Sequence, residues 1–418
     1  MDLTIEGRAL IGDQLVNCCI GIENGKIVEI KKILRAEEHL DFNDMLILPG
    51  GVDIHVHMRE PGLTSKEDFS SGTKAAAFGG ITCVMDMPNT IPPTTTKRAV
   101  EDKLDIASGK SWVDFGIFAG CVPGMDPTQL KKGVAGYKLY MGSTTGDLLV
   151  TEDDDIKRIL DSIKESGSVL SIHAEDQAWL REGSAMDLEG YAQNRPYQAE
   201  TKAIERISSL SQYENVNICH ISSKQGLELL KDSPFTKEVT PHHLLLSSKK
   251  DLGAMAKVNP PLRNEVNRKE LFEAFKEGIF DVLASDHAPH TFAEKEDEFD
   301  YAPPGVPGVE TSLPLMLLLV KKGTLDLPML IRMASYRPAH LFNISKGYID
   351  VGLDADLMVV DPRSVSAIKG DRLHSRCGWT PYEGWEAIFP HSVMVRGRMV
   401  VEDGAFTGER VGRNVVRE

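Results

Sequence analysis

The sequence predicts an α/β fold: a (β/α)8 barrel of the TIM type with a small β domain built from the N- and C-terminal segments. Eight apolar, strand-like runs, each followed by a helical or loop segment, carry the barrel prediction, because this alternation is typical of parallel α/β folds. They lie at residues 52–58, 81–87, 113–119, 136–141, 169–173, 216–221, 238–242 and 280–287. The length of 418 residues fits one barrel of about 250 residues plus an accessory domain.

Both ends of the chain have the texture of short strands and turns. Residues 20–30 contain Asn24-Gly25, a strong hairpin signal, and further turns are predicted at Gly7 and Gly12. Residues 349–361 and 393–401 return to the same pattern. We therefore expect residues 1–49 and 347–418 to form the β domain and residues 50–346 to form the barrel.

Helices are predicted between the strands. Residues 68–78 form a helix closed by Gly79-Gly80, and residues 151–165 carry isoleucines and a leucine at helical spacing after an acidic start. Residues 313–319 and 328–341 are predicted to be helical, with Pro328 at a first helical position.

Composition narrows the class of protein. The chain is 41% hydrophobic and 26% charged, with a net charge of −15, which disfavours a nucleic-acid partner and favours a small-molecule enzyme. No apolar run reaches membrane-spanning length and no secretory signal is evident, so a cytoplasmic protein is expected. The six cysteines show no C-x-x-C pair, which favours reduced thiols.

The segment around His55-Val56-His57 is the first candidate for chemistry. Alternation along a strand places both imidazoles on one face, where they could chelate one cation, with Arg59 following on that face. Taken alone, the pair is as well explained by two packed histidines.

Other polar residues recur at the strand ends, where the active site of such a barrel lies. They are Lys138, His173, His220 and Asp286. Four histidines, a lysine and an aspartate pointing into one barrel mouth are hard to explain by packing, and imidazole and carboxylate ligands suit zinc.

A lysine inside a barrel needs a reason, because a buried unpaired ammonium is costly. Lys138 could take up CO2 to form a carbamate that bridges two cations. The alternative is a surface lysine or one paired with an acid.

The chain resembles the dihydroorotase family of the amidohydrolase superfamily, of the type with a binuclear zinc site bridged by a carboxylated lysine. The resemblance covers nearly the whole chain. The motifs that carry it are Asp-Ile-His-Val-His-Met-Arg-Glu-Pro-Gly at 53–62, Met-Pro-Asn-Thr at 87–90, Tyr-Lys-Leu-Tyr at 137–140, His-Ala-Glu-Asp at 173–176, Pro-His-His-Leu at 241–244, Asn-Pro-Pro-Leu-Arg at 259–263, Ser-Asp-His-Ala-Pro-His at 285–290 and Gly-Val-Pro-Gly-Val-Glu at 305–310.

The resemblance implies a set of ligands and contacts. His55, His57 and Asp286 would hold one Zn2+, His173 and His220 a second, and N6-carboxylated Lys138 would bridge them. Residues expected to contact substrate are His57, Arg59, Asn89, Asn259, His290, Pro307 and Gly308. The Arg59 guanidinium matches a carboxylate, whereas Asn259 is equally well explained as part of an Asn-Pro-Pro turn.

The implied activity is the reversible cyclisation of N-carbamoyl-L-aspartate to L-dihydroorotate in pyrimidine biosynthesis, with Asp286 as general acid and base. The alternatives are a dihydropyrimidinase, hydantoinase or allantoinase, or a catalytically silent scaffold barrel. Expected partners are the small-molecule substrate, a second copy in a homodimer, and aspartate transcarbamoylase.

Two features are left open by the sequence. Residues 291–306 form either a solvated loop or a mobile segment over the site. Cys219, Glu238 and His242 could form an extra metal site, although Cys219 is expected to alternate away from His220.

Overall fold

The computed structural model describes residues 1–144, 146–249 and 251–416. The chain begins with four strands, β1 to β4. Their bounds are Leu3–Ile11, Gln14–Glu23, Lys26–Lys31 and Glu38–Pro49. The hairpin predicted at Asn24-Gly25 joins β2 to β3 in antiparallel register. The turn predicted at Gly7 is wrong: Gly7 lies within β1, where the pairing with β4 shifts register, so this glycine accommodates an irregularity in the strand.

Eight parallel strands, β5 to β12, follow in sequential order around the barrel. Their bounds are Gly51–Val56, Ile81–Asp86, Asp114–Gly120, Gly136–Tyr140, Val169–His173, Val216–Ile218, Thr236–Val239 and Val282–Leu283. The ring closes through a parallel bridge between Val56 and His287, where the His57 N–H donates to the His287 carbonyl at 2.7 Å. The strands form at the predicted places, and the (β/α)8 prediction is confirmed.

Twelve α-helices are assigned within the described residues, α1 to α12. Their bounds are Phe69–Phe78, Lys97–Lys110, Asp153–Ser166, Leu188–Asn194, Tyr197–Leu210, Lys224–Leu229, Pro241–Leu245, Glu265–Lys276, Phe292–Lys295, Ser312–Lys321, Leu327–Ile331 and Arg337–Leu341. A π-helical segment, Arg332–Tyr336, joins the last two into the helix predicted at 328–341. His242, predicted at a strand end, lies instead in α7, because Thr240 caps a helix whose first residue is Pro241.

The C-terminal segment returns to the N-terminal sheet. Strands β13 (Leu357–Val360), β16 (Ser392–Val395), β17 (Arg398–Glu402) and β18 (Ala405–Phe406) extend it, and β13 pairs antiparallel with β4. One small β sheet is thus built from both ends of the chain, as the fold prediction states. The domain limits at residues 49/50 and 346/347 stay a prediction.

Between β13 and β16 the chain leaves this sheet and packs on the barrel. A short hairpin of β14 (Ser366–Ala367) and β15 (Glu386–Ala387) flanks a loop whose Trp379 and Tyr382 are buried with Leu246, Val258 and Val306. The loop belongs to the accessory segment in sequence but contacts the barrel end that bears the predicted site.

Within the described residues, no helix combines the length and apolar character needed to cross a membrane. All six cysteines are buried free thiols.

Opposite the predicted site, the sheet and the barrel are joined by a buried ion cluster. Lys346 lies 2.8 Å from Asp114 and 3.4 Å from Asp354, and it also pairs with Asp356. Its side chain is 2% exposed, and the carboxylates raise its pKa although burial opposes this. Asp114 also pairs with Arg396, and Asp354 with Lys26 and Arg413, but among the described ion pairs Asp356 has Lys346 alone. Removing this cation therefore leaves the buried Asp356 carboxylate uncompensated.

We predict that Lys346→Met lowers the free energy of unfolding by about 3–5 kcal/mol, because it leaves the buried Asp356 carboxylate without a cation and weakens the compensation of Asp114. The control is Lys26→Ala, which breaks the Asp354 pair of a lysine that is 48% exposed and should cost about 1 kcal/mol or less. Denaturant unfolding of both variants measures the difference, and equal losses would contradict the role given to Lys346.

Candidate metal centre and active site

The carboxyl ends of the barrel strands surround one cleft. It is lined by His55, His57, Arg59, Asn89, Lys138, Tyr140, Thr144, His173, His220, Asn259, Asp286, Ala288, Pro304 and Gly305. Every residue that the sequence predicted as a metal ligand lies in this lining. Of the predicted substrate contacts, His57, Arg59, Asn89 and Asn259 line the cleft, whereas His290, Pro307 and Gly308 are not part of its lining.

His55, His57 and Asp286 form one tight group. An Asp286 carboxylate oxygen lies 3.1 Å from His57 Nε2 and 3.4 Å from His55 Nε2. One donor atom from each of the three residues lies within 4.8 Å of the others, which is compatible with a single shared cation. The strand alternation inferred for His55 and His57 thus brings both rings to the same side.

His173 and His220 form a second pair on the other side of the cleft. His173 Nδ1 lies 3.0 Å from His220 Nε2. The His55 and His220 rings are 5.2 Å apart, so the two groups adjoin. The residues of both groups are almost fully buried.

Three of the four histidines have their second ring nitrogen engaged by an oxygen acceptor. His55 Nδ1 lies 2.7 Å from Glu238, His57 Nδ1 lies 2.7 Å from Asn89, and His173 Nε2 lies 2.9 Å from Glu175. A histidine that donates one N–H to an oxygen presents the lone pair of its other nitrogen, which is the arrangement found around bound metals. Glu175 is held in turn by Arg195, 2.6 Å away.

The protonation states also suit a cation. Burial lowers the pKa of His57 to about 3 and lowers the pKa of His173 and His220, so these rings are neutral. Burial opposes ionisation of Asp286, but the surrounding histidines hold its pKa well below the usual range. At His55, burial and Lys138 favour the neutral ring, yet Glu238 and Asp286 raise its pKa to about 10. The same negative field that attracts a proton there would attract a metal ion.

Lys138 lies between the two histidine groups and is fully buried. Its Nζ is 3.4 Å from His55 Nε2 and 3.0 Å from Cys219 Sγ, and it lies 5.4 Å from the Tyr140 ring centre. Within the described chain, no carboxylate forms an ion pair with it. The alternatives of a surface lysine or an acid-paired lysine therefore do not apply.

The donor set fits a divalent metal: three neutral imidazoles, His55 in a negative field, an ionised carboxylate and a buried amine face one small space. A second group, His55, Cys219 and Glu238, also brings donor atoms within 4.8 Å of one another. His242 is not part of it. Cys219 does face the Lys138 side of the site, because the chain turns at His220 instead of continuing as a strand.

Arg59 is buried beside the cleft. Its Nε donates to the Pro289 carbonyl at 3.1 Å, and its Nη2 lies 3.2 Å from His290 Nε2. The His290 ring already donates to the Pro304 carbonyl and faces the Lys66 ammonium with its other nitrogen. Among the described residues, no carboxylate pairs with the Arg59 guanidinium.

A buried ion pair between Asp86 and Lys103 holds the turn that carries Arg59. Asp86, at the end of β6, accepts the Met58 N–H at 2.7 Å and pairs with Lys103, which also donates to the Met87 carbonyl at 2.8 Å. This anchor supports the left-handed backbone of Arg59, whose φ is 58°.

Asn259 lines the cleft and accepts a hydrogen bond from Tyr191 at 2.6 Å. Its side chain is thus held in place by Tyr191 at a bend of the chain, and its contact with substrate stays a prediction. Pro304 and Gly305, and not Pro307 and Gly308, form the nearby wall. The assignment of substrate contacts to His290, Pro307 and Gly308 stays a prediction.

Sequence reasoning missed Tyr140, Thr144 and the Glu175–Arg195 pair. Tyr140 and Glu175 stand two residues from predicted ligands, Lys138 and His173, within motifs already quoted, so strand alternation could have placed them near the site. Thr144 and Arg195 lie in connecting segments for which no periodic signal exists.

Residues 291–306 are partly buried and are held in place by hydrogen bonds. Thr291 and Glu294 form a capping box at the start of α9. Lys295 is 2% exposed and donates to the carbonyls of Pro303 and Gly305 at 2.9 and 3.0 Å. This segment therefore forms part of the wall of the cleft.

Comparison with known proteins identifies the family of the chain. The profile of the Amidohydrolase family matches residues 46–400. The chain belongs to the amidohydrolase family.

Within that family, the chain is similar to proteins named dihydroorotase in archaea. The protein of Methanosarcina acetivorans is 41% identical over 409 residues, covering 91% of this chain and 87% of its own. That of Halobacterium salinarum is 39% identical, covering 95% and 96%. That of Pyrococcus furiosus is 35% identical, covering 100% and 97%.

Solved structures with the same fold include the L-hydantoinase (dihydropyrimidinase) of Arthrobacter aurescens, with a TM-score of 0.94 at 30% identity and full coverage of both chains. The dihydropyrimidinase of Brevibacillus agri NCHU1002 has a TM-score of 0.89 at 27% identity, covering 99% of this chain and 98% of its own. The fold is therefore shared with hydantoinases, whereas the relatives named dihydroorotase confirm the predicted resemblance to that family and favour it over the hydantoinase alternative.

Proposed function

We propose that this enzyme is a dihydroorotase, a cyclic amidohydrolase that interconverts N-carbamoyl-L-aspartate and L-dihydroorotate in pyrimidine biosynthesis. The observation that carries the choice of substrate is the buried Arg59 guanidinium, which borders the cleft without a protein carboxylate. Such a group is costly unless an anion completes it, and a planar guanidinium matches a carboxylate. Both forms of the proposed substrate carry such a carboxylate, which does not take part in the reaction.

The metals are assigned on the donor set of the cleft. His55, His57 and Asp286 would hold one Zn2+, His173 and His220 a second, and Lys138 would lie between them as its N6-carboxylate. When bound, such ions polarise a carbonyl and bring the pKa of water near neutrality.

Carboxylation of Lys138 explains why an amine is buried among metal ligands. Its nitrogen would add to CO2 and lose a proton, forming a carbamate anion. An anion among imidazoles suits two cations, whereas a lone ammonium there repels them. The absence of an acid partner for Nζ within the described residues supports this assignment.

The chain's own residues would carry out the remaining chemistry. In the hydrolytic direction, Asp286 accepts a proton from the attacking water and delivers it to the departing ring nitrogen. Arg59, with Asn89 and His290, would hold the carboxylate and so fix the ring relative to Asp286. Asn259 and the 305–308 segment would face the ring amide edge. Cyclisation is the same sequence reversed, with Asp286 donating a proton to the departing oxygen.

A dihydropyrimidinase or hydantoinase is the alternative that the structural neighbours favour, and a scaffold barrel is the other. Neutral hydantoin and dihydrouracil have no carboxylate to pair with Arg59. All six predicted ligands are present and face one cleft, which a silent barrel has no need to retain.

The proposed function also suggests partners and a cellular compartment. We propose a homodimer that associates with aspartate transcarbamoylase, because that enzyme would supply carbamoyl aspartate. Six buried thiols without disulfides suit a reducing compartment, which supports the cytoplasm.

The function is tested with a panel of cyclic amides and a zinc count on the same sample. We expect turnover of L-dihydroorotate and no turnover of hydantoin, dihydrouracil or allantoin. The reverse pattern would establish the alternative, and a protein that is inactive after zinc and bicarbonate are supplied would support the scaffold.

Lys138→Ala should lose both zinc and activity, because it removes the bridge. Short carboxylic acids, which can occupy the vacated space as an anion, should restore part of both. Inductively coupled plasma mass spectrometry and dihydroorotate assays measure the two effects. Full activity in Lys138→Ala would overturn the bridging assignment.

Arg59→Met should raise KM for dihydroorotate by about 10- to 100-fold, the range expected for losing a charge-assisted hydrogen bond, while zinc content is unchanged. Arg59→Lys keeps the positive charge but loses the planar, two-pronged guanidinium, so its KM should lie between those of the parent enzyme and Arg59→Met. Parallel loss of zinc and substrate binding would instead give Arg59 a structural role.

A further inference from the structure

We propose that Glu67 and His287 form a positioning pair that holds the 305–309 loop against the cleft, and that Ser375 and Arg376 of the C-terminal segment brace this pair. The inference rests on the proposed function, since it concerns how the same cleft holds its substrate. Neither Glu67 nor His287 lines the cleft, so they would act through the loop.

The His287 side chain fixes the loop through backbone amides. Its Nδ1 accepts the Gly308 N–H at 3.1 Å, with the Val309 N–H at 3.5 Å. The ring proton is therefore on Nε2, which faces a Glu67 carboxylate oxygen at 3.3 Å. A fully buried ring thus joins a carboxylate on one side to two loop amides on the other.

The His287 backbone, unlike its side chain, supports the neighbouring Asp286. Its N–H donates to Ser285 Oγ at 3.0 Å, and its carbonyl accepts the His57 N–H at 2.7 Å. These bonds flank Asp286, whose φ of 45° requires support from its neighbours. Because they use only the main chain, substitution of the side chain leaves them in place.

Glu67 collects donors from three parts of the chain. Besides His287, it accepts the Ser71 hydroxyl at the start of α1, the Ser375 hydroxyl, and the Arg376 N–H at 3.4 Å. It is fully buried, so each donor matters for keeping the carboxylate solvated by the protein. Without these donors the carboxylate would have no fixed position from which to hold the ring.

The C-terminal brace also holds the far end of the loop. His374, next to Ser375, donates its N–H to Glu310 at 2.7 Å and has its Nδ1 2.8 Å from the other oxygen. Arg376 pairs with Asp68 and donates to the Thr64 carbonyl at 2.9 Å. Three consecutive residues of the accessory segment therefore hold both the segment that follows Arg59 and the end of the loop that carries Pro307 and Gly308.

The loop reaches the cleft through Gly305. Its φ is 141°, and an added Cβ would lie 2.4 Å from the Ala288 carbonyl oxygen, so this wall is closely packed. Release of Gly308 and Val309 would let the wall shift while the metal ligands stay held by their own bonds. The expected consequence is weaker substrate binding without loss of the metals.

The test compares His287→Ala with His287→Asn, whose carboxamide oxygen can still accept the Gly308 N–H. We expect His287→Ala to raise KM for dihydroorotate about 10-fold, with kcat and zinc content within about 2-fold of the parent enzyme. His287→Asn should have an intermediate KM. Amide hydrogen exchange at Gly308 and Val309 should be faster in His287→Ala even without substrate.

Ser375→Ala serves as the second variant, since it removes one Glu67 donor and leaves the ring intact. We expect it to raise KM about 3-fold. The control is Asp114→Asn, a buried carboxylate at the opposite end of the barrel, which should lower the melting temperature without changing KM.

An unchanged KM in both His287→Ala and Ser375→Ala would overturn the inference. So would a KM in Asp114→Asn that rises as much as in His287→Ala, because KM would then follow the melting temperature and not the loop. If the parent enzyme does not turn over dihydroorotate, the proposed function fails. In that case the hydrogen exchange of the loop amides still decides the positioning pair.

Discussion

The closure of the barrel between its first and eighth strands is the constraint on which the site depends. A parallel bridge joins Val56 to His287, and the hydrogen bond from His57 to His287 spans 2.7 Å. Residues separated by more than 200 positions in the chain thereby place His57 and Asp286 within 3.1 Å of each other. Without this closure, the H-x-H pair would remain a pair of buried histidines, and Asp286 would lie apart from both rings.

Charge explains why this arrangement calls for an ion. The neutral rings of His57, His173 and His220, the ionised Asp286 and the buried Glu238 and Glu175 create a negative pocket in a low-dielectric setting. The edge of the cleft is positive instead, because Arg59 is a buried cation with which no carboxylate of the described residues pairs. The cleft is thus divided into a part that attracts metal and a part that attracts a carboxylate, and this division separates the proposed substrate from the neutral amides of related enzymes.

Much of this could be predicted from the sequence, because strand alternation and strand order are local signals with global consequences in a barrel. The eight runs, the histidines at their ends and the hairpin at Asn24-Gly25 all follow from period and turn chemistry. The left-handed backbone at Arg59, His220 and Asp286 could not be predicted, since it is imposed by contacts with distant segments. The same holds for the excursion of residues 370–385 onto the barrel, which follows from Trp379 and Tyr382 finding apolar partners there and not from any local pattern.

The most direct measurement of the central claim is anomalous diffraction at the zinc edge from crystals grown with zinc and bicarbonate. The account predicts two peaks about 3.5–4 Å apart, one beside His55, His57 and Asp286 and one beside His173 and His220, with added density on Lys138 Nζ between them. A single peak held by Cys219 and Glu238, or an unmodified Lys138 with no metal beside it, would contradict the account.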